Sequence, residues 1–166
     1  MATAKFKGKP ISTVGDLPAV GATAPDFTLV NGSLEDVTLA NFAGKKKILS
    51  IVHSLDTGVC QSATKTFSKL IGGRNDAVIL VISKDLPFAQ KRFCTAEGID
   101  NVVTLSAFRS SFGKDYGVEM LDGPIKGLTA RSVVVLDEKN KVVYTQLLDE
   151  VTNEPDHEKA IAALGA

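Results

Sequence analysis

Cysteine and histidine are scarce in this chain of 166 residues, two of each, and neither sign of charge is in excess: Lys plus Arg and Asp plus Glu are 19 each. Two cysteines exclude a small scaffold held together by disulfides. They do not form Cys-x-x-Cys, so a dithiol motif is absent as well. Balanced charge argues against a polyanion-binding surface, and no nucleic-acid partner is expected. The longest basic run, Lys45-Lys46-Lys47, reads as the solvated start of a strand. His53, Cys60, Cys94 and His157 are four possible metal ligands, but they lack the paired close spacings of zinc sites, so neither metal nor other cofactor is expected. Gly72-Gly73 is not followed by Lys-Ser/Thr and no nucleophile elbow occurs, which removes phosphate loops and serine nucleophiles. No segment approaches the ~18 consecutive apolar residues of a membrane span, and no membrane association is expected. Met1 to Pro10 carries lysines without an apolar core, unlike a signal peptide. A cytoplasmic location is therefore expected, with the cysteines reduced at the outset.

What is present suits a globular protein. Hydrophobic residues make up 44% of the chain, which speaks against disorder, and the length suits one domain over residues 1–166. The first 18 residues read as an extension, with a short hairpin around Phe6-Lys7-Gly8-Lys9-Pro10-Ile11-Ser12. Phe27–Val30 and Val37–Leu39 flank an Asn31-Gly32 turn. A strand at 48–52 leads to a helix over about 58–71, whose Val59, Ala63, Phe67, Leu70 and Ile71 recur at helical spacing. The solid apolar run Ala77–Ile82 predicts a central strand buried on both faces. Pro87 suits the first turn of a second helix with Leu86, Ala89, Phe93 and Ala96 on one face. A strand at 102–105, a brief helix over 108–116, a hairpin of 132–136 with 141–147, and a last helix over 155–164 complete the pattern. Strands alternating with helices, closed by a hairpin and a helix, predict an α/β sandwich around a mixed sheet.

Within that pattern Asp56-Thr57-Gly58-Val59-Cys60 directly follows the strand Ile48–Val52, which places Cys60 in the first helical turn. Unpaired backbone N–H groups and the positive end of the helix dipole lie there, and both favour negative charge on sulfur. Thr57, three residues earlier, is a candidate N-cap whose hydroxyl would reach a backbone N–H and the sulfur. The competing account of Cys60 is a small buried residue without reactivity.

The segments Ala24-Pro25-Asp26-Phe27, Ser54-Leu55-Asp56-Thr57-Gly58-Val59-Cys60, Asp85-Leu86-Pro87-Phe88-Ala89-Gln90, Arg92-Phe93-Cys94, Gly123-Pro124 and Ala130-Arg131, in this order and spacing, together with Phe6-Lys7-Gly8 and Val20-Gly21, resemble the peroxiredoxins, and within them the thiol peroxidase subfamily of atypical two-cysteine enzymes. The resemblance runs through nearly the whole chain. It implies a thioredoxin-like fold with a mixed central sheet flanked by helices and an N-terminal β-hairpin extension. It also implies a thioredoxin-dependent peroxidase acting on hydrogen peroxide and organic hydroperoxides, and a homodimer. Cys60 would be the peroxidatic cysteine and Cys94 the resolving one, closing an intramolecular disulfide, with Thr57 and Arg131 completing the site. A peroxide-sensing regulatory protein using the same cysteines is the alternative.

Arg131 immediately precedes the strand Ser132–Leu136, which could run beside the strand feeding Cys60. It would then hold the thiolate and a peroxide oxygen with its fork of donors; otherwise it is a charge at a strand start paired with an aspartate. Cys94, on the second helix, sits at the edge of the buried face, where a purely packing role competes with the resolving one. The resemblance puts proline where this chain has His53. Either the histidine is a packing substitute, or its imidazole makes the sulfur's reactivity depend on pH.

Overall fold

The computed structural model describes residues 1–165. The chain opens with an antiparallel hairpin, β1 (Thr3–Phe6) and β2 (Lys9–Ser12), a two-stranded sheet of its own. The main sheet is built from β3 (Leu29–Val30), β4 (Asp36–Val37), β5 (Lys46–Ile51), β6 (Ala77–Ser83), β7 (Val103–Ser106), β8 (Ser132–Leu136) and β9 (Val142–Leu147), in the spatial order β4-β3-β7-β6-β5-β8-β9. The helices are α1 (Gly58–Ile71), α2 (Pro87–Glu97), α3 (Phe112–Asp115) and α4 (His157–Ala163). Strands β5, β6 and β7 are parallel and the remaining pairings are antiparallel. This is the mixed α/β sandwich expected from the alternation of strands and helices.

Both faces of the sheet are covered, so its central strands are apolar without interruption. Along β6, Ile79 and Val81 face one core, and Leu80 and Ile82 the other. The first of these cores also takes Cys60, Phe67 and Ile71 from α1, Phe93 from α2, and Ala160 from α4. The opposite core is closed by Phe112 and Tyr116, whose rings stack at 4.3 Å. A third, smaller cluster of Ala4, Ile11, Met120, Ala130 and Val151 seats the N-terminal hairpin on the segments flanking β8 and β9. Gly117 is required by a close approach: its φ is +69°, and a Cβ there would stand 2.2 Å from the Asp16 carbonyl oxygen.

Several boundaries and faces differ from the sequence-based expectation. In α1 the buried stripe is Cys60, Ala63, Thr64, Phe67 and Ile71, while Leu70 is 41% exposed. Leu70 lies about 100° round the helix from Ile71, enough to leave the contact face. In α2 the buried positions are Pro87, Gln90 and Phe93, whereas Leu86 and Ala96 face solvent. Gln90 is buried because its Nε2 donates to Ser83 Oγ at 3.1 Å and the Leu105 carbonyl at 3.0 Å, tying α2 to β6 and β7. Counting apolar residues at helical spacing passes over such a residue. α3 spans only Phe112–Asp115 rather than 108–116, since the Ser110 hydroxyl accepts from the Phe112 amide that a longer helix would use. Lys47 is not solvated: it is fully buried, its ammonium donates to Asn140 Oδ1 at 2.5 Å, and burial lowers its pKa against the pull of Asp137 and Glu138.

Candidate active site

Strand β5 ends beside the start of β8, with Ile51 paired to Ser132 in an antiparallel register. The chain leaving β5 turns through 52–57 into α1, while the residue before β8 is Arg131. The sheet register thus brings Arg131 and Cys60, 71 positions apart, into contact: Arg131 Nη2 donates to Cys60 Sγ at 2.6 Å. Both are buried, Cys60 at 0% and Arg131 at 1% exposure. The guanidinium is held on its other edge by Nε, which donates to the Val151 carbonyl at 2.8 Å. Its Nη1 is buried with no hydrogen-bond partner. A fixed cation on a sulfur, with one further donor to spare, stabilises a thiolate and offers a contact to a second anionic or polar atom. The expectation that β8 runs beside the strand feeding Cys60 is met.

Thr57 departs from its expected contacts. It is the N-cap of α1 by backbone conformation (φ −113°, ψ 145°), yet its side chain makes no cap hydrogen bond. Its hydroxyl donates instead to the Ser54 carbonyl at 2.9 Å, closing the turn before the helix, so it serves neither a helix N–H nor the sulfur. A local turn acceptor three residues back competes for the same hydroxyl and wins. Asp56 points outward, 3.8 Å from Arg92 with both side chains exposed, so its carboxylate does not oppose charge on Cys60.

The turn carrying Thr57 and Cys60 hangs on Asp85. That carboxylate accepts from Ser54 Oγ at 2.8 Å, the Leu55 amide at 2.7 Å and Ser83 Oγ at 2.7 Å. Asp85 stands at the end of β6, two residues before α2, and so links the Cys60 loop to the helix bearing Cys94. In the sequence, the signal for Asp85 is its place between an apolar strand and a helix-opening proline.

Cys94 is half-buried on α2 and packs at the margin of the core that contains Cys60; both cysteines are free thiols. Burial pushes the Cys94 thiol up, so it is not primed as a nucleophile where it sits. On its outer side lies a cavity of about 620 Å³ bounded by Cys94, Lys91, Gly98 and the Asn31–Ser33 turn. A second cavity, of about 280 Å³, lies over the Cys60 turn. It is lined by His53, Thr57, Gly58 and Val59, by Phe6 and Lys7, and by Ile125 and Thr152, so the N-terminal hairpin borders the Cys60 turn.

His53 is buried, with Nδ1 3.7 Å from Cys60 Sγ. Burial pushes its imidazole down to about 4, the Arg131 guanidinium adds to this, and Asp85 opposes it. His157, T-shaped against Phe67 at 4.6 Å, is also lowered, mainly by burial. Both are therefore neutral in the fold at pH 7. As pH falls below 6.5 the unfolded chain takes up protons that the folded chain refuses until about 4, so stability is fully present above 6.5 and is lost toward 4. At pH 5 His53 alone costs about 2 kcal/mol, or a melting temperature lower by about 4–8 °C than at pH 7. His53→Gln should show a clearly smaller drop between the two pH values; equal drops for both proteins would mean that His53 does not resist protonation.

Among the described residues no group of three or more His, Cys, Asp or Glu side chains is arranged to hold a metal ion, and no helix is long and apolar enough to cross a membrane.

The chain is similar to known proteins over nearly its whole length. Residues 19–162 match the Redoxin family. The thiol peroxidase of Mycobacterium bovis is 51% identical over 166 residues, covering 100% of both chains. That of Corynebacterium glutamicum is 49% identical over 164 residues, covering 99% of each. Among solved structures, a peroxiredoxin-like protein from Aquifex aeolicus superposes with a TM-score of 0.90 at 37% identity, over 97% of this chain and 94% of its own. The thioredoxin-like fold expected from the sequence holds.

Proposed function

Because the chain belongs to the Redoxin family, among the thiol peroxidases of the peroxiredoxin group, we propose that it reduces hydrogen peroxide and organic hydroperoxides through Cys60. The observation that supports this most is the contact of Arg131 Nη2 with Cys60 Sγ at 2.6 Å, beside a buried Nη1 that has no partner. The Cys60 thiolate attacks the terminal oxygen of the hydroperoxide. A sulfur–oxygen bond forms, the O–O bond breaks, and the departing oxygen leaves with the electron pair and becomes water or alcohol on protonation. Cys60 is left as sulfenic acid. Arg131 holds the charge that moves from sulfur to the leaving oxygen, and its free Nη1 suits a peroxide oxygen. Thr57 acts by fixing the turn from which Cys60 projects.

Cys94 then attacks the Cys60 sulfur, water leaves, and an intramolecular disulfide closes. Its raised pKa and its place on a helix tied to the Cys60 loop through Asp85 and Arg92 fit a residue that reacts only after that helix loosens. A thiol reductant, in our reading thioredoxin, restores both thiols by attack from the open side of Cys94. The chain works as one domain over residues 1–166 with 1–18 as its extension, as a homodimer in the cytoplasm.

Consumption of NADPH in a coupled thioredoxin and thioredoxin reductase system, with hydroperoxide added, tests the reading. Sustained turnover is expected from the native protein. Cys94→Ser should reduce about one equivalent of peroxide and stall as a sulfenic acid that dimedone traps. Oxidised native protein should run faster than reduced protein on a non-reducing gel, as a single chain. A disulfide-linked dimer in its place, or full turnover by Cys94→Ser, would remove Cys94 from the cycle.

A further inference from the structure

Reduction of a hydroperoxide by a thiol moves a proton as well as an oxygen: the hydrogen on sulfur must end on the departing oxygen. The groups already placed around Cys60 do not carry it. The Arg131 guanidinium stabilises charge without exchanging its proton. The Thr57 hydroxyl is engaged by the Ser54 carbonyl. Asp56 is turned out toward Arg92.

His53 is differently placed. It is 5% exposed, its Nδ1 stands 3.7 Å from Cys60 Sγ, and its ring borders the cavity of about 280 Å³ that Thr57, Gly58 and Val59 also line. Phe6 from the N-terminal hairpin meets the ring edge-on, with centroids 6.4 Å apart. The charged groups that bear on it are Arg131 at the start of β8 and Asp85 at the end of β6, with Lys7 from the hairpin on the same cavity. Burying an imidazole costs free energy that an apolar side chain of similar size would not incur.

We propose that His53 is a catalytic residue: its Nδ1 takes the proton of the Cys60 thiol and hands it to the oxygen that leaves when the O–O bond breaks. The proposal rests on the peroxidase reading. The thiol gives its proton to Nδ1, leaving a thiolate against Arg131 and an imidazolium beside it. The thiolate attacks the terminal peroxide oxygen, the sulfur–oxygen bond forms, and the O–O electron pair departs on the second oxygen. Nδ1–H protonates that oxygen and the imidazole is neutral again. Thiol and hydroperoxide thereby become sulfenic acid and alcohol, with no proton drawn from outside. Burial and Arg131 hold the imidazole down to about 4. It is therefore neutral at pH 7; burial and Arg131 disfavour its charge, which only the thiolate formed 3.7 Å away favours, so the imidazolium is a strong acid toward an alkoxide. The proton is passed on rather than kept.

The test varies the leaving group. Hydrogen peroxide and tert-butyl hydroperoxide release hydroxide and alkoxide, which need a proton; peracetic acid releases acetate, which does not. Single-turnover rates are measured for the native protein, His53→Asn and His53→Gln. In the variants the rates with the two hydroperoxides should fall about 10- to 100-fold, at or below the lower range of general acid–base catalysis, while the rate with peracetic acid changes little. A merely structural role lowers all three rates together, and an unchanged ratio of peracid to hydroperoxide rates would overturn the proposal. In the native protein, deuterated water should slow the hydroperoxide reactions more than the peracid reaction; equal isotope effects would also overturn it. If the native protein reacts with none of the three oxidants, the peroxidase reading fails instead, and the two failures are distinct.

Discussion

Cys60→Ser is expected to lose peroxidase turnover to the level of the uncatalysed reaction while keeping the native fold. The side chain is fully buried against Arg131, and serine is close to cysteine in shape. Its hydroxyl can still accept from the guanidinium, so neither a cavity nor an unpaired cation is created. What changes is the nucleophile. A hydroxyl remains protonated beside this cation, and its oxygen is hard and poorly polarisable, so it does not attack the O–O bond at a useful rate. The measurement is the coupled assay together with the thermal melt of the same sample. Loss of activity with a melting temperature near that of the native protein is the expected pair of results. Appreciable turnover in this variant would move the nucleophile elsewhere, and Cys94 would be the next residue to replace.

The second large effect is expected at Arg131. Removing a preorganised donor that faces charge moving in the transition state costs about 10²–10³ in rate, or ~3–4 kcal/mol. Arg131→Ala should fall by at least this much in the single-turnover rate with hydroperoxide. It should also be destabilised by a few kcal/mol, since the Val151 carbonyl loses its donor and a large buried side chain leaves a void. Arg131→Lys separates the two effects. Lysine restores the charge, but one ammonium cannot span the Val151 carbonyl and the sulfur while offering a third contact, so stability should recover more than rate. If Arg131→Ala folds and reacts with peroxide at the native rate, the contact with Cys60 is structural.

Much of the fold was legible because its signals are local. The apolar run at 77–82 is short and rich in β-branched residues, which suits a doubly buried strand, and Pro87 suits the first turn of a helix. The departures came from polar residues whose side-chain nitrogens donate to partners outside their own element. Gln90 is buried because Ser83 and Leu105 receive its amide, and Lys47 because Asn140 and the carboxylates beyond it stand at the end of its side chain. Hydrophobic periodicity has no term for such partners. Thr57 shows the opposite case: its cap position was legible, but a nearer acceptor took its hydroxyl.

For the site, the sequence by itself determined the elements of the chemistry: a cysteine in the first turn of α1, a cation before β8, a second cysteine on α2, and the order of motifs that gives the family. These depend on chain position, which sequence records directly. Only the tertiary structure decided which groups touch the sulfur. The register of Ile51 with Ser132 is what sets Arg131 on Cys60, and the turn anchored by Asp85 is what brings His53 to 3.7 Å and sends Asp56 outward. Side chains from the turn after β5, from α1 and from the residue before β8 meet only once two strands distant in sequence are paired. A contact fixed by the pairing of remote strands leaves no local pattern in the chain.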